Sequence, residues 1–255
     1  MNTPSPMISV RSVTKRFGAQ TVLQNLSIDI EAGSTVAVVG PSGVGKSVLL
    51  KLIMGIMHPD HGEVLIQGKN ITAAVTEAER NEIRASLGVL FQSAALLDSL
   101  SVYENVAFPL RARTKLSSEE IHTRVRALLE DLSLVPYAFN LPGEISLGMR
   151  KRVGLARALV MEPQIVLFDE PNTGLDPLVG QEVYDLIKET RARWKYTGIV
   201  ISHELPEVFQ VADRVVMLLG GNVVADGDPE ALLQSTDPAV RQFLQGRVDG
   251  PIKIQ

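Results

Sequence analysis

Gly40-Pro41-Ser42-Gly43-Val44-Gly45-Lys46-Ser47 matches the phosphate-binding pattern G-x-x-x-x-G-K-[ST] at every fixed position. Glycines let backbone N–H groups turn inward around phosphate oxygens, and a helix starting at the end of the loop presents its positive pole to the same anion. Lys46 adds a point charge for the β- and γ-phosphates, and the Ser47 hydroxyl is placed to ligate Mg²⁺. The flanks supply the context that a chance Gly/Ser turn would lack. Val36-Ala37-Val38-Val39 enters as a buried strand, and Val48-Leu49-Leu50-Lys51-Leu52-Ile53-Met54 leaves as a buried helix.

The 255 residues, 45% hydrophobic, suffice for one large α/β domain or a domain with an inserted lobe. With no cysteine, a disulfide framework and a zinc-thiolate site are both excluded, which suits a reducing compartment. A formal net charge of −4 argues against broad affinity for nucleic acid or an anionic membrane. No apolar run approaches the roughly eighteen residues of a membrane span. The start, Met1-Asn2-Thr3-Pro4-Ser5-Pro6, lacks the basic and apolar regions of a signal peptide, so a membrane role is expected through a partner.

Before the loop, Ile8-Ser9-Val10 and Ser27-Ile28-Asp29-Ile30 alternate as antiparallel strands joined through a Lys15-Arg16-Phe17-Gly18 turn. Phe17 suits either stacking on an adenine face or covering the core edge. The helix from Lys46 is expected to run to the stop at His58-Pro59-Asp60. His58 and His61, three apart, lack the further ligands that a metal site needs. Glu63-Val64-Leu65-Ile66 and Leu87-Gly88-Val89-Leu90-Phe91 read as strands. Ser117 with Glu120 forms a capping box ahead of apolar residues 121, 125, 128, 129 and 132 at helical spacing. With flanking helices at 102–108 and 149–160, it makes an inserted helical lobe. Strands return at 165–168 and 199–201 around a helix at 183–187. Gly220-Gly221-Asn222 marks a hairpin, a short helix begins near Asp228-Pro229-Glu230, and residues 237–255 read as a helix-poor tail.

A second nucleotide motif is Ile165-Val166-Leu167-Phe168-Asp169-Glu170, an apolar strand ending in two carboxylates where parallel α/β sheets gather ligands. Asp169 is placed to hold Mg²⁺, and Glu170 to orient and deprotonate the attacking water. His203, just past the strand at 199–201, has two readings: a hydrogen-bond donor to the γ-phosphate, or a structural histidine at a strand end. Gln92 offers a neutral amide to the metal's water and to a mobile loop. Arg150-Lys151-Arg152 reads as a solvated helix face.

In order, residues 40–47, Gln92, Ile145-Ser146-Leu147-Gly148-Met149, 165–170, Asn172-Thr173-Gly174-Leu175-Asp176 and His203 resemble the phosphate loop, Q-loop, signature, Walker B, D-loop and switch histidine of ABC-transporter ATPase subunits. Met149, the run from Lys46 to Leu50 and the ending Asp237-Pro238-Ala239-Val240-Arg241-Gln242-Phe243-Leu244 look most like the MCE-linked, Mla-type phospholipid transport ATPases. The resemblance implies an α/β fold: a P-loop NTPase, RecA-like core with an antiparallel β subdomain and an inserted helical lobe. It spans one domain over 1–255, with the core at 1–92 and 164–236, the lobe at 93–163 and the tail at 237–255.

It also implies ATP and Mg²⁺ as cofactors. ATP is held by Phe17, Gly40, Pro41, Ser42, Gly43, Val44, Gly45, Lys46, Ser47 and Val48, and Mg²⁺ by Ser47, Gln92 and Asp169. Catalysis falls to Glu170, His203 and Gln92. Ser146 and Gly148, at the start of a helix expected near Met149, face the γ-phosphate bound by a second copy in a head-to-tail dimer. Leu147 stands where the family has glycine and is expected to disturb a position needing close approach or φ > 0. The implied partners are that second copy, membrane permease subunits received near 93–105 and an MCE-type lipid-binding protein. No nucleic acid is expected, and the implied location is cytoplasmic, peripheral on the inner face of the inner membrane. Three rivals stay open: an ABC ATPase for another substrate such as an amino acid, a soluble ABC protein acting on DNA or ribosomes, and a nucleotide-gated assembly module with little turnover.

Overall fold

A computed structural model of the chain describes residues 5–74 and 76–253. The amino-terminal expectation falls largely on residues 1–4, outside the described residues. In chain order the elements are β1 (Ile8–Phe17), β2 (Gln20–Ile30), β3 (Thr35–Val39), α1 (Lys46–Ile53), β4 (His61–Ile66), β5 (Lys69–Asn70), α2 (Glu77–Arg84), β6 (Leu87–Leu90), α3 (Val102–Arg113), α4 (Ser118–Asp131), α5 (Leu147–Leu159), β7 (Ile165–Asp169), α6 (Pro177–Trp194), β8 (Thr197–Ile201), β9 (Arg214–Leu219), β10 (Asn222–Gly227), α7 (Pro229–Leu233) and α8 (Pro238–Leu244). They form two compact units, one comprising the chain to Ala85 and from Thr197 onward, the other Ser86–Tyr196. By this division β6, β7 and α6 fall in the second unit, together with α3, α4 and α5. Among the described residues no helix is long and apolar enough to cross a membrane.

The first unit has two sheets. In one, β2-β1-β4-β5 lie in that order and are antiparallel, with Ile8 opposite Ile30 and Phe17 opposite Gln20. The strands run further than expected: Lys15, Arg16 and Phe17 pair within β1, and the turn is Gly18-Ala19. In the other sheet β3 lies between β8 and β9 and is parallel to both, while β9 and β10 form a hairpin. Every residue of β3 and β8 is buried, as for a parallel strand covered on both faces. Helix α1 stops well before Pro59. Gly55 is left-handed at φ 64°, its N–H bonds Leu52 O at 2.9 Å and the Ile56 N–H bonds Lys51 O at 3.0 Å. This glycine cap satisfies the last carbonyls and ends the helix, a signal the proline obscured. The tail also differs from expectation. Asp237 caps α8, whose Val240 is fully buried, and buried Gln242 donates to the carbonyls of Arg247, Val248 and Ile252.

In the second unit β6 and β7 are parallel, with Leu87 opposite Ile165 and Leu90 opposite Phe168. Capping boxes start α3, from Ser101 and Glu104, and α4, from Ser117 and Glu120 as expected. Helix α4 buries Ile121, Val125, Leu128 and Leu129, the apolar face read from the spacing. Asp176 caps α6, with Pro177 in the first turn, where its missing N–H costs nothing.

Candidate active site

The phosphate loop begins where β3 ends. Gly45, the N-cap of α1, is left-handed at φ 107° and ψ 5°. Lys46 is 5% exposed, and its ammonium donates to Gly40 O at 2.7 Å and Pro41 O at 2.9 Å, so the cation lies within the loop it serves. Ser42, Gly43 and Ser47 are exposed, and Pro41, Val44 and Val48 half-buried. Seven of the eight described α-helices have a side-chain oxygen accepting from a first-turn N–H; α1 does not, nor does it carry an acidic residue in that turn. A helix start lacking both a cap and a negative charge is one that suits an anionic ligand.

Two further expected residues lie in this unit. Val38 of β3 pairs with Ile201 of β8, and His203 follows two residues later, exposed, on a turn that Ser202 pins by accepting from the Glu204 N–H at 3.0 Å. Phe17 ends β1 at 47% exposure with the Lys15 ammonium 5.6 Å from its ring centre, so the exposed aromatic is on a strand end and not in a turn.

In the second unit, Asp169 is the last residue of β7 and half-buried. Glu170 follows in a left-handed conformation at φ 46°, which costs a non-glycine residue about 1–3 kcal/mol and persists only where neighbours fix it. Its carboxylate accepts from the Thr173 hydroxyl at 3.1 Å, and its carbonyl accepts from the Thr173 N–H and the Lys151 ammonium, each at 3.3 Å. Lys151 also donates to the carbonyl of Gln92, whose side chain is exposed two residues beyond β6. Lys151 is 1% exposed, so the expected solvated face is corrected at its centre; its neighbour Arg152 pairs with Glu182 at 2.8 Å. The signal was spacing: position 151 falls on the buried helix face with 148 and 155.

Helix α5 starts at Leu147, two residues earlier than expected. Ser146 is its N-cap, extended at φ −63° and ψ 162°, with its oxygen accepting from the Met149 N–H at 3.2 Å. Leu147 is therefore the first helical residue and requires no positive φ, which removes the conformational half of the expected disturbance. Its side chain lies against the loop before α6, since a Cβ on Gly174 would sit 3.4 Å from Leu147 Cδ2. The neighbouring Gly148 is the confined position: a Cβ there would come within 2.6 Å of Val179 Cγ1.

The Ser47 hydroxyl, the Asp169 carboxylate and the Gln92 amide oxygen, each expected as a Mg²⁺ ligand, are all of the hard-oxygen type that this cation prefers. Among the described residues no group of three or more His, Cys, Asp or Glu forms a protein-only cage.

The family model described as ABC transporter matches residues 23–173. The chain is 40% identical over 249 residues to the intermembrane phospholipid transport system ATP-binding protein MlaF of Escherichia coli (strain K12), covering 98% of this chain and 92% of that protein. It is 44% identical over 245 residues to the probable ribonucleotide transport ATP-binding protein mkl of Mycobacterium leprae (strain TN), covering 96% and 70%. Among solved structures, the dimeric post-hydrolysis state of the ATP-binding cassette MJ0796 bound to ADP and Pi aligns at TM-score 0.79 and 31% identity, covering 88% of this chain and 99% of that one. Clostridium perfringens cbiO1, part of the ABC transporter complex cbiONQ, aligns at 0.83 and 29%, covering 90% and 91%.

Proposed function

Because the chain belongs to the ABC transporter family, as an ATPase subunit that binds nucleotide, we propose that its hydrolysis of ATP powers phospholipid transport in a bacterial envelope. The observation that carries the substrate class is the 40% identity with MlaF, which extends over 98% of this chain. In this reading the subunit sits peripherally on the inner face of the inner membrane, bound to permease subunits and an MCE-type protein.

Residue roles follow from chemistry. The uncapped start of α1 and the Lys46 ammonium receive the phosphates, the ammonium exchanging its loop carbonyls for phosphate oxygens. Phe17 offers its ring to the adenine. Ser47, Asp169 and Gln92 would serve as Mg²⁺ ligands, and the cation would supply neutralisation of phosphate charge. Glu170 takes a proton from the attacking water, and His203 donates to the γ-phosphate as charge develops there. The Ser146 oxygen accepts within its own helix, which leaves its O–H to donate outward, beside the Gly148 N–H, to a phosphate held by a second copy. The dimeric cassette structures support that pairing.

A ribonucleotide substrate is the second reading, supported by the identity with mkl. Affinity purification of the full chain from detergent-solubilised membranes separates the two: a co-purifying MCE-type protein with bound phospholipid is expected, and a permease without either overturns the lipid assignment. In the same preparation Glu170→Gln is expected to keep ATP binding and lower turnover by about a hundredfold or more. Wild-type turnover would remove Glu170 from the role of base.

A further inference from the structure

Helix α5 does more than present its N-terminus. One turn in, Lys151 is buried to 1% exposure, and burying an ammonium is unfavourable unless its protons find acceptors. Two of those acceptors are main-chain carbonyls, Gln92 O and Glu170 O, from segments 78 residues apart in sequence that both carry proposed site side chains. Two turns further on, Arg157 donates to Ala94 O and Ala95 O, each at 2.6 Å. Those two alanines are themselves left-handed, at φ 60° and 45°, as is Glu170 at φ 46°. Three strained residues thus have their carbonyls held by cations of one helix, and Gln92 shares a cation with Glu170. An apolar side chain at position 151 would fill the space and leave two inward-turned carbonyls without that donor.

We propose that Lys151 is a positioning residue for ATP hydrolysis: its ammonium ties the backbone of the Gln92 loop to that of Glu170, so that the two side chains keep one fixed relation. The inference rests on Glu170 and Gln92 having the roles given above. It assigns to α5 a mechanical link, since the helix whose N-terminus faces the second copy's phosphate also holds, through one side chain, the hydrolytic residues of its own chain. Lys151 touches no substrate atom in this account.

The test compares Lys151→Met, which keeps length and loses the donor, with Lys151→Gln, which keeps an N–H donor. Turnover and ATP affinity are measured on the full chain purified with its membrane partners, with mant-ATP as the binding probe. Since misplacement of a catalytic group by about 1 Å lowers rates by up to about a hundredfold, Lys151→Met is expected to lower kcat tenfold or more with the nucleotide Kd within about twofold of wild type. Restoring the donor in Lys151→Gln is expected to bring kcat back to about two- to threefold below wild type. A folded Lys151→Met with wild-type kcat overturns the proposal. So does a loss shared by kcat and Kd, the mark of a merely structural role, or a Gln variant as slow as the Met variant. Where Lys151→Met does not fold, Lys151→Gln decides alone: a modest fall in kcat at unchanged Kd supports the link, and a wild-type kcat or a joint loss overturns it. Glu170→Gln, run beside them, separates the two levels. If it hydrolyses ATP normally, the role of Glu170 and this inference fall together. If it is inert while Lys151→Met is unaffected, only this inference falls.

Discussion

Two helix starts in this protein are built in opposite ways. The start of α1 follows a left-handed glycine, has no side-chain cap and keeps its lysine buried in its own loop. The start of α5 follows an extended serine whose oxygen already accepts from the helix, and it crowds a glycine against Val179. The first leaves its N–H groups for a whole triphosphate and shapes the loop with backbone alone. The second satisfies itself and has one hydroxyl proton and a short stretch of backbone to offer. That difference fits a proposed division of labour in which the start of α1 binds nucleotide within the subunit and the start of α5 completes a site on another copy. It predicts graded consequences when each is perturbed.

The largest effect is expected at the loop. Gly40 has φ 144°, and a Cβ there would come within 2.3 Å of Leu218 O, a backbone atom that cannot swing aside. Gly40→Ala should therefore displace the loop itself, with mant-ATP affinity falling about a hundredfold or more. Stability should fall by about 1–3 kcal/mol, read from denaturant unfolding. Near-normal binding would mean that α1 tolerates a displaced loop and would erase the contrast with α5.

At α5 the same methyl group should act differently. The atom it meets at Gly148 is the Val179 side chain, so Gly148→Ala is expected to leave ATP binding by the subunit intact and to reduce turnover of the assembled complex by about tenfold. The adjacent Leu147→Gly supplies the converse. Since Leu147 is helical, a glycine there restores no needed conformation and removes a contact with the loop at Gly174; turnover should rise by no more than about twofold, and the helix should lose at most about 1 kcal/mol. A large gain in turnover from Leu147→Gly would instead favour an assembly module whose hydrolysis Leu147 holds back.

The same contrast explains what the sequence made legible. The loop at 40–47 is a local object: eight consecutive residues define its backbone, so the motif, the strand before it and the helix after it could be read directly. The capping boxes at Ser117 and the acidic pair at 169 and 170 are local too. Gly55 was overlooked because Pro59 is the louder stop signal, although an αL glycine ends a helix as firmly. Residues 237–244 looked helix-poor because the apolar face of α8 is short and its stability depends on the Asp237 cap and on Gln242 gathering the chain that follows. Lys151 was misread because its partners are carbonyls of distant segments. Any residue presents a carbonyl, so no side-chain pattern announces such a bond; only the helical phase of position 151 hinted at burial.

The smallest effect tests whether capped starts such as those of α3 and α4 are sustained by their own side chains, as α1 is not. In α4 the Ser117 hydroxyl and backbone N–H hold the Glu120 carboxyl below its usual range, and in α3 the Ser101 N–H and hydroxyl do the same for Glu104. A folded-state pKa below the unfolded value stabilises the fold when the carboxylate is charged. The contribution is therefore complete above the ordinary value of 4.5 and is lost as pH falls through the lowered value in the folded protein. Glu120→Gln keeps a neutral acceptor and removes only the charge. Its melting temperature should lie slightly below wild type at pH 7, and the gap should close as pH falls below the glutamate range. The same substitution made at Glu104 should behave alike. A gap that persists at low pH would show that geometry at the N3 position, and not charge, sustains these starts, and the line drawn between α1 and the capped helices would then rest on the hydroxyl caps alone.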